Sequence, residues 1–214
     1  MRMNSAVCGV VLMAAACSGC LQKEVTQTIY LAPSGVVWSV IERDVRSDKP
    51  VPAERILEEQ DYVLAAGAGK HPMAEAFRHL GAQSVTTTWL RRARPYSVMT
   101  EARFADVRQL AAAILRDAQA QGDVTLERDG CQTKFGVRVD LASAPDSSGD
   151  SALGELLTNL ETYRFVLTEG RFVSADGFNI EKEGDVAVPD MTKTATDGIL
   201  TLALSWADEG CVVK

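Results

Sequence analysis

The 214-residue chain has two histidines, His71 and His79, and none after residue 79. A serine nucleophile needs an adjacent base, and here no late histidine can supply one. Long apolar runs are missing too. The segment from Ala6 to Ala16 is about eleven residues long, whereas a spanning helix needs roughly twenty. Positive charge is short as well: 22 Lys and Arg stand against 29 Asp and Glu, for a net charge of −7. Nucleic-acid binding calls for a basic face, so the balance argues against nucleic acid as a partner. It also weighs against electrostatic docking of the chain as a whole on anionic lipid.

Cysteine, by contrast, is placed with a pattern. The chain opens "MRMNSAVCGVVLMAAACSGC". Arg2 precedes the short apolar run, and the small residues Ala14, Ala15, Ala16, Ser18 and Gly19 lead up to Cys20. That is the order of a secretory signal. The stretch "CSGC" resembles the lipobox of bacterial lipoproteins, in which small residues precede a cysteine that becomes thioether-linked to diacylglycerol. The resemblance covers the first twenty residues. It implies cleavage before Cys20, removal of residues 1–19, and acylation of the new amino terminus with a fatty acid such as palmitate. The pattern departs at one position, since Cys17 stands where leucine is usual. Cys17, preceded by three alanines, is the alternative acceptor. Each buried methylene contributes roughly 0.8 kcal/mol, so two or more chains hold a protein to a membrane firmly. Leu21 follows Cys20 where aspartate would mark retention, so the resemblance implies the outer membrane, facing the periplasm.

Removing residues 1–19 leaves about 195 residues, enough for one sizeable domain, and a net charge of about −8. With Cys20 acylated, Cys131 and Cys211 are an even pair suited to one disulfide, and export favours the bridge.

The remaining chain reads as strands and helices in turn. "VTQTIYLAPSGVVWSVIERDV" is a hairpin about Pro33 and Gly35, beginning near Val25 after a short tether over 20–24. Residues 50–81 read as two helices. The first starts at Pro52, with Ile56, Leu57, Gln60, Val63 and Leu64 on one face and "GAG" as its stop. The second starts at Pro72, with Met73, Phe77 and Leu80 in line. Two strands follow around Arg94-Pro95. Then Val107, Leu110, Ala111, Ile114, Leu115 and Ala118 mark an amphipathic helix stopped at Gly122. "DVTLERDGCQTKFGVRVDL" is a hairpin about Asp129-Gly130, and "ALGELLTNLETY" a short helix. Strands close the chain, ending in "DGILTLALSWAD", where Leu200, Leu202, Leu204 and Trp206 share a face. The sum is an α+β fold: a mainly antiparallel sheet built from hairpins, packed on three to four helices. One domain spans 25–214, with a possible sub-boundary in the polar loop near 142–151. The layout resembles that of small bacterial lipoproteins.

Motifs for chemistry are few, and no catalytic residue, metal ligand or cofactor is assigned. "GDSAL" (Gly149–Leu153) resembles the nucleophile block of GDSL-type esterases, but an alanine interrupts it and the late histidine is missing. "GAGKH" (Gly67–His71) is a helix stop rather than a phosphate loop. His71, Glu75 and His79 share a helical stripe at four-residue spacing, read as solvated polar residues. Arg91, Arg92 and Arg94 form a local basic patch that guards a strand edge and is placed to meet lipid headgroups or an acidic partner. Glu54, Glu58, Glu59 and Asp61 coat a solvated helix, while Trp38, Trp89 and Trp206 pack in the core. These features point to a non-enzymatic, membrane-anchored binding module with a protein partner of unknown identity. The rival readings are a carrier or chaperone for lipid or lipoprotein cargo, which needs an apolar cavity, and an envelope hydrolase using paired carboxylates.

Overall fold

The computed structural model describes residues 21–141, 162–190, 195–196 and 198–211. Cys20, GDSAL, the 142–151 loop and the expected 152–163 helix, apart from Thr162 and Tyr163, lie outside the described residues. In chain order the elements are β1 (Leu21–Ala32), β2 (Gly35–Ser47), α1 (Pro52–Gly67), α2 (Pro72–His79), β3 (Ser84–Arg91), β4 (Tyr96–Phe104) and α3 (Val107–Asp117). Then come β5 (Gln121–Asp129), β6 (Gln132–Asp140), β7 (Tyr163–Leu167), β8 (Arg171–Asp176), β9 (Phe178–Ile180), β10 (Val186–Pro189), β11 (Ala195–Thr196) and β12 (Ile199–Ala207). The fold is α+β, with three helices among the described residues.

Two sheets form where one was expected. The larger has the order β3-β4-β2-β1-β7-β10-β9, and the smaller β11-β12-β6-β5, with β8 also on β12. Among the described residues all pairings are antiparallel except β1 with β7. Hairpin signals give each local pair, but the assignment of pairs to sheets depends on long-range register. The parallel contact of Gln27–Leu31 with Tyr163–Leu167 has no local signature. One apolar cluster nonetheless runs from Ile29 and Trp38 through Phe77, Phe104 and Leu110 to Phe135 and Leu204, so both sheets share a core.

Strand β1 starts at Leu21, four residues before Val25, so the expected tether is already paired backbone. In β2, Val36, Trp38, Val40 and Glu42 are buried in alternation. A bulge between Glu42 and Val45, with Asp44 at φ 52°, then shifts the inward phase to Val45 and Ser47. Aspartate tolerates that left-handed backbone better than most residues. A second bulge, at Ser205/Trp206, buries Ser205 and Ala207 and leaves Trp206 half-buried, which breaks its expected face-sharing with Leu200, Leu202 and Leu204.

Helices α2 and α3 bury the faces their apolar spacing marks: Phe77 and Leu80 in one, Val107, Leu110 and Leu115 in the other. Asp106 caps α3 by accepting from the Gln109 N–H (2.7 Å), while the Gln109 side chain accepts from the Ala105 N–H, a capping-box variant. This helix stops at Ala118 with Gln119 at φ 52°, not at Gly122. Gly122 lies in β5 beneath Leu115, where a Cβ would strike the Arg138 carbonyl, so close helix–strand packing explains the glycine.

Helix α1 corrects the reading most sharply. It buries Glu59, Tyr62 and Ala66, while Ile56, Leu57 and Leu64 face outward. Each such side chain forgoes part of the roughly 1.5–3 kcal/mol that full burial gives, so the polar anchors Glu59 and Tyr62 set the docking face.

The β1–β2 turn needs its glycine. Gly35 has φ 131°, and a Cβ there would lie 2.7 Å from the Phe104 carbonyl oxygen. Gly81 also has positive φ (85°) but open space around it. Gly35→Ala should lose about 2 kcal/mol in urea unfolding and Gly81→Ala about 1 kcal/mol. Equal losses would mean that conformational strain alone matters.

Candidate functional site

An acid at an inward position of a strand needs partners, and Glu42 has three. Its Oε1 lies 2.7 Å from Lys23 Nζ of β1. Its Oε2 accepts the Tyr62 hydroxyl of α1 at 2.7 Å and faces His71 Nε2 at 3.2 Å. His71 is the N-cap of α2, and its Nδ1 accepts the Met73 N–H at 3.3 Å. Nε2 is therefore the protonated nitrogen, which donates to Glu42. The Tyr62 and His71 rings meet edge-on with centroids 5.2 Å apart.

Burial pushes the Glu42 carboxyl up, but the hydrogen bond from His71 and the Lys23 ammonium more than offset it and hold the group at about 2, below the ordinary 4.5. Burial, then the Glu42 carboxylate, push the Tyr62 phenol well above its usual range, so it remains a donor. Glu42 is 3% exposed and His71 1%. In this closed arrangement the groups satisfy one another and fasten α1 and α2 to β2.

A second polar group sits one turn along. The Ser47 N–H donates to Glu59 Oε1 at 2.9 Å, and the Ser47 hydroxyl donates to Glu58. Arg94, in the β3–β4 turn, lies 3.0 Å from Glu59. Glu58 and Glu59 therefore pin α1 to the end of β2 instead of coating a solvated helix, whereas Glu54 and Asp61 are exposed. Leu21 pairs with Ser47, which puts the start of β1 beside α1. Leu21, Trp89 and Tyr96 complete a small apolar cluster on Val45, Tyr62, Ala66 and Val98.

The other residues singled out in the sequence are separated. His71 is buried, while His79 is exposed and lies 3.0 Å from Asp117, so the His71–Glu75–His79 stripe does not converge. Among the described residues no three His, Cys, Asp or Glu side chains gather as a metal ion would require, and no helix is long and apolar enough to cross a membrane. "GAGKH" is the end of α1, with Ala68 as C-cap and Gly69 at φ 69°. Cys131, in the β5–β6 turn, and Cys211, beyond β12, are joined in a disulfide with Cα atoms 6.0 Å apart.

Among the described residues, an apolar cleft and a mixed groove open at the shared core. An apolar cleft of about 90 Å³ lies between α3 and the two sheets, lined by Ile114, Phe135, Phe165 and Leu202 among others. A mixed groove of about 280 Å³ lies at the far end, between the β1–β2 turn, the start of α3 and the Arg128–Asp208 ion pair.

Sequence reasoning passed over Lys23, Glu42 and Tyr62. The available signal was the alternation Val36, Trp38, Val40, Glu42, which places a carboxylate in a core phase.

The fold and these sites define a two-sheet α+β domain with a buried polar cluster, centred on one carboxylate, where β1, β2, α1 and α2 meet. No protein-family model matches the chain, and no curated protein matches it. Among solved structures it is similar to the NMR structure of the folded domain of LppM from Mycobacterium tuberculosis, at 15% identity and a TM-score of 0.37, over 88% of this chain and 91% of that one. A superposition that weak transfers nothing of that protein's role.

Proposed function

We propose that this chain is a lipid-anchored protein of the bacterial cell envelope, acylated on Cys20, sorted to the outer membrane with its body in the periplasm, and acting by binding rather than by catalysis. The observation that carries the reading is one of adjacency: the lipobox-like "CSGC" ends at Cys20, and Leu21, the next residue, is already in β1. Acylation there would attach lipid directly to a strand, with no leash. The Cys131–Cys211 bridge suits an oxidising compartment.

Binding is favoured over carboxylate hydrolysis because Glu42 faces an ammonium, a phenol and an imidazole instead of a second acid, and is shut off from solvent. The apolar cleft of about 90 Å³ falls below the roughly 300–1,000 Å³ usual for ligand pockets, which weighs against the carrier reading.

Cys20→Ala should release the protein from the membrane fraction or leave it as unprocessed precursor, while the natural chain gives a mature N-terminal peptide carrying an acylated Cys20 by mass spectrometry. Unchanged membrane fractionation of a variant that is still processed to its mature length, or acyl mass on Cys17, would refute the assignment.

A further inference from the structure

The outward face of α1 is out of character for a helix that only folds. Val51, Ile56, Leu57 and Leu64 are 46%, 56%, 61% and 68% exposed. At 100° per residue, Ile56, Gln60, Leu64 and Leu57 occupy about 100° of arc, with Asp61 and Glu54 on one flank. The stripe therefore points into solvent on the side away from Tyr62 and Ala66.

Its position gives it an occupant. Leu21 pairs with Ser47, and the Ser47 N–H is bonded to Glu59 of α1 at 2.9 Å. Leu21, the residue that follows Cys20 in the chain, therefore lies next to this helix. The β3–β4 turn lies at the same end, held by Arg94 on Glu59 at 3.0 Å. It leaves Arg91 and Arg92 exposed, and its Pro95 shares an open groove of mixed charge with Gln22, Lys23, Glu24, Asp44 and Arg46. The opposite end of the sheet, with the β1–β2 and β9–β10 turns, is about 40 Å away along the twelve residues of β1.

We propose that α1 is a second membrane contact: its apolar face lies in the headgroup boundary of an anionic bilayer beside the acylated Cys20, with Arg91 and Arg92 over lipid phosphates. The inference rests on the lipid-anchor reading. A helix with apolar residues outward and cations beside it seats itself in that plane, and the anchor supplies the local concentration. Two contacts fix the orientation of the body where one acylated residue leaves it free to swivel. The mixed groove near the β1–β2 turn is then presented away from the bilayer.

The test uses the full acylated chain in vesicles of phosphatidylethanolamine and phosphatidylglycerol, with a nitroxide at Leu57→Cys or, as the distant control, at Lys182→Cys in the β9–β10 turn. Electron paramagnetic resonance compares collision with oxygen and with a water-soluble nickel complex, and the mass of the N-terminal peptide is read on the same samples. Docking predicts an oxygen-to-nickel ratio at 57 severalfold above that at 182. Equal ratios with Cys20 acylated would overturn the docking and leave the anchor standing. Spin–spin broadening at 57 would show a second copy covering the face, which also overturns it. A bare Cys20 would remove the anchor reading and this one with it.

Discussion

Glu42→Ala should lower the unfolding free energy by about 3–5 kcal/mol, the usual loss when one partner is removed from a buried ionic group. Lys23, Tyr62 and His71 all direct protons at this carboxylate. Without it an ammonium with little exposure, a buried phenol and a buried imidazole N–H have no acceptor, and each unmet group carries its own desolvation penalty. Urea unfolding measures the loss. Glu42→Gln keeps an acceptor oxygen and should lose less. Equal stability of the natural and alanine proteins would show that the cluster contributes only geometry.

Acid provides an independent reading of the same residue. The folded Glu42 carboxyl titrates at about 2 and the unfolded one near 4.5. A folded value below the unfolded one means that its stabilisation is complete above pH 4.5. It is then lost as pH falls through the window down to 2. The full difference amounts to about 3 kcal/mol. The stability gap between the natural protein and Glu42→Gln should therefore narrow as pH drops from 4.5 toward 2. A gap independent of pH across that window would remove the ionised carboxylate from the explanation.

The same cluster explains where the sequence could be read and where it could not. Helices α2 and α3 were legible because their apolar spacing and their burial agree: Phe77 and Leu110 are both large, inward and nearly inaccessible. In α1 the two separate. Its strongest apolar stripe runs through Ile56 and Leu64, yet the docked face is chosen by the Tyr62 hydroxyl on Glu42 and by Glu59 on Ser47 and Arg94. Hydrogen bonds to partners 12 and 20 residues away leave no trace in local periodicity. Strand positions were legible for a different reason: turn residues such as Pro33-Ser34 and Asp129-Gly130 bracket them. Sheet membership was not, because β7 pairs with β1 while β8, four residues further on, pairs with β12. Bulges at Asp44 and Ser205 reset the inward phase within single strands, which a strict two-residue alternation cannot anticipate. In the Glu42 site, the misplaced acid was visible in the alternation, but its partners come from three other elements and emerge only with the fold.

Replacing Cys131 and Cys211 together with serine should lower the unfolding free energy by roughly 4–5 kcal/mol, from the chain entropy of a closed loop with a sequence separation of 80. The folded state should hardly notice. Gln132 already pairs with Ala207 across β6 and β12, and the Asp208 N–H donates to the Cys131 carbonyl at 2.9 Å. The two ends of the bridge are thus held together by the ladder, and their Cα atoms need no further force to stay 6.0 Å apart. The effect must therefore act on the unfolded chain, which becomes larger and exposes more surface. That makes a second, separable expectation: the urea dependence of unfolding should steepen in the serine protein, while its folded-state circular dichroism stays unchanged. A loss of stability without the steeper dependence would place the contribution of the bridge in the folded sheet instead. A loss under about 1 kcal/mol would mean that the ladder of β6 and β12 already restrains the unfolded ensemble as tightly as the covalent bond does.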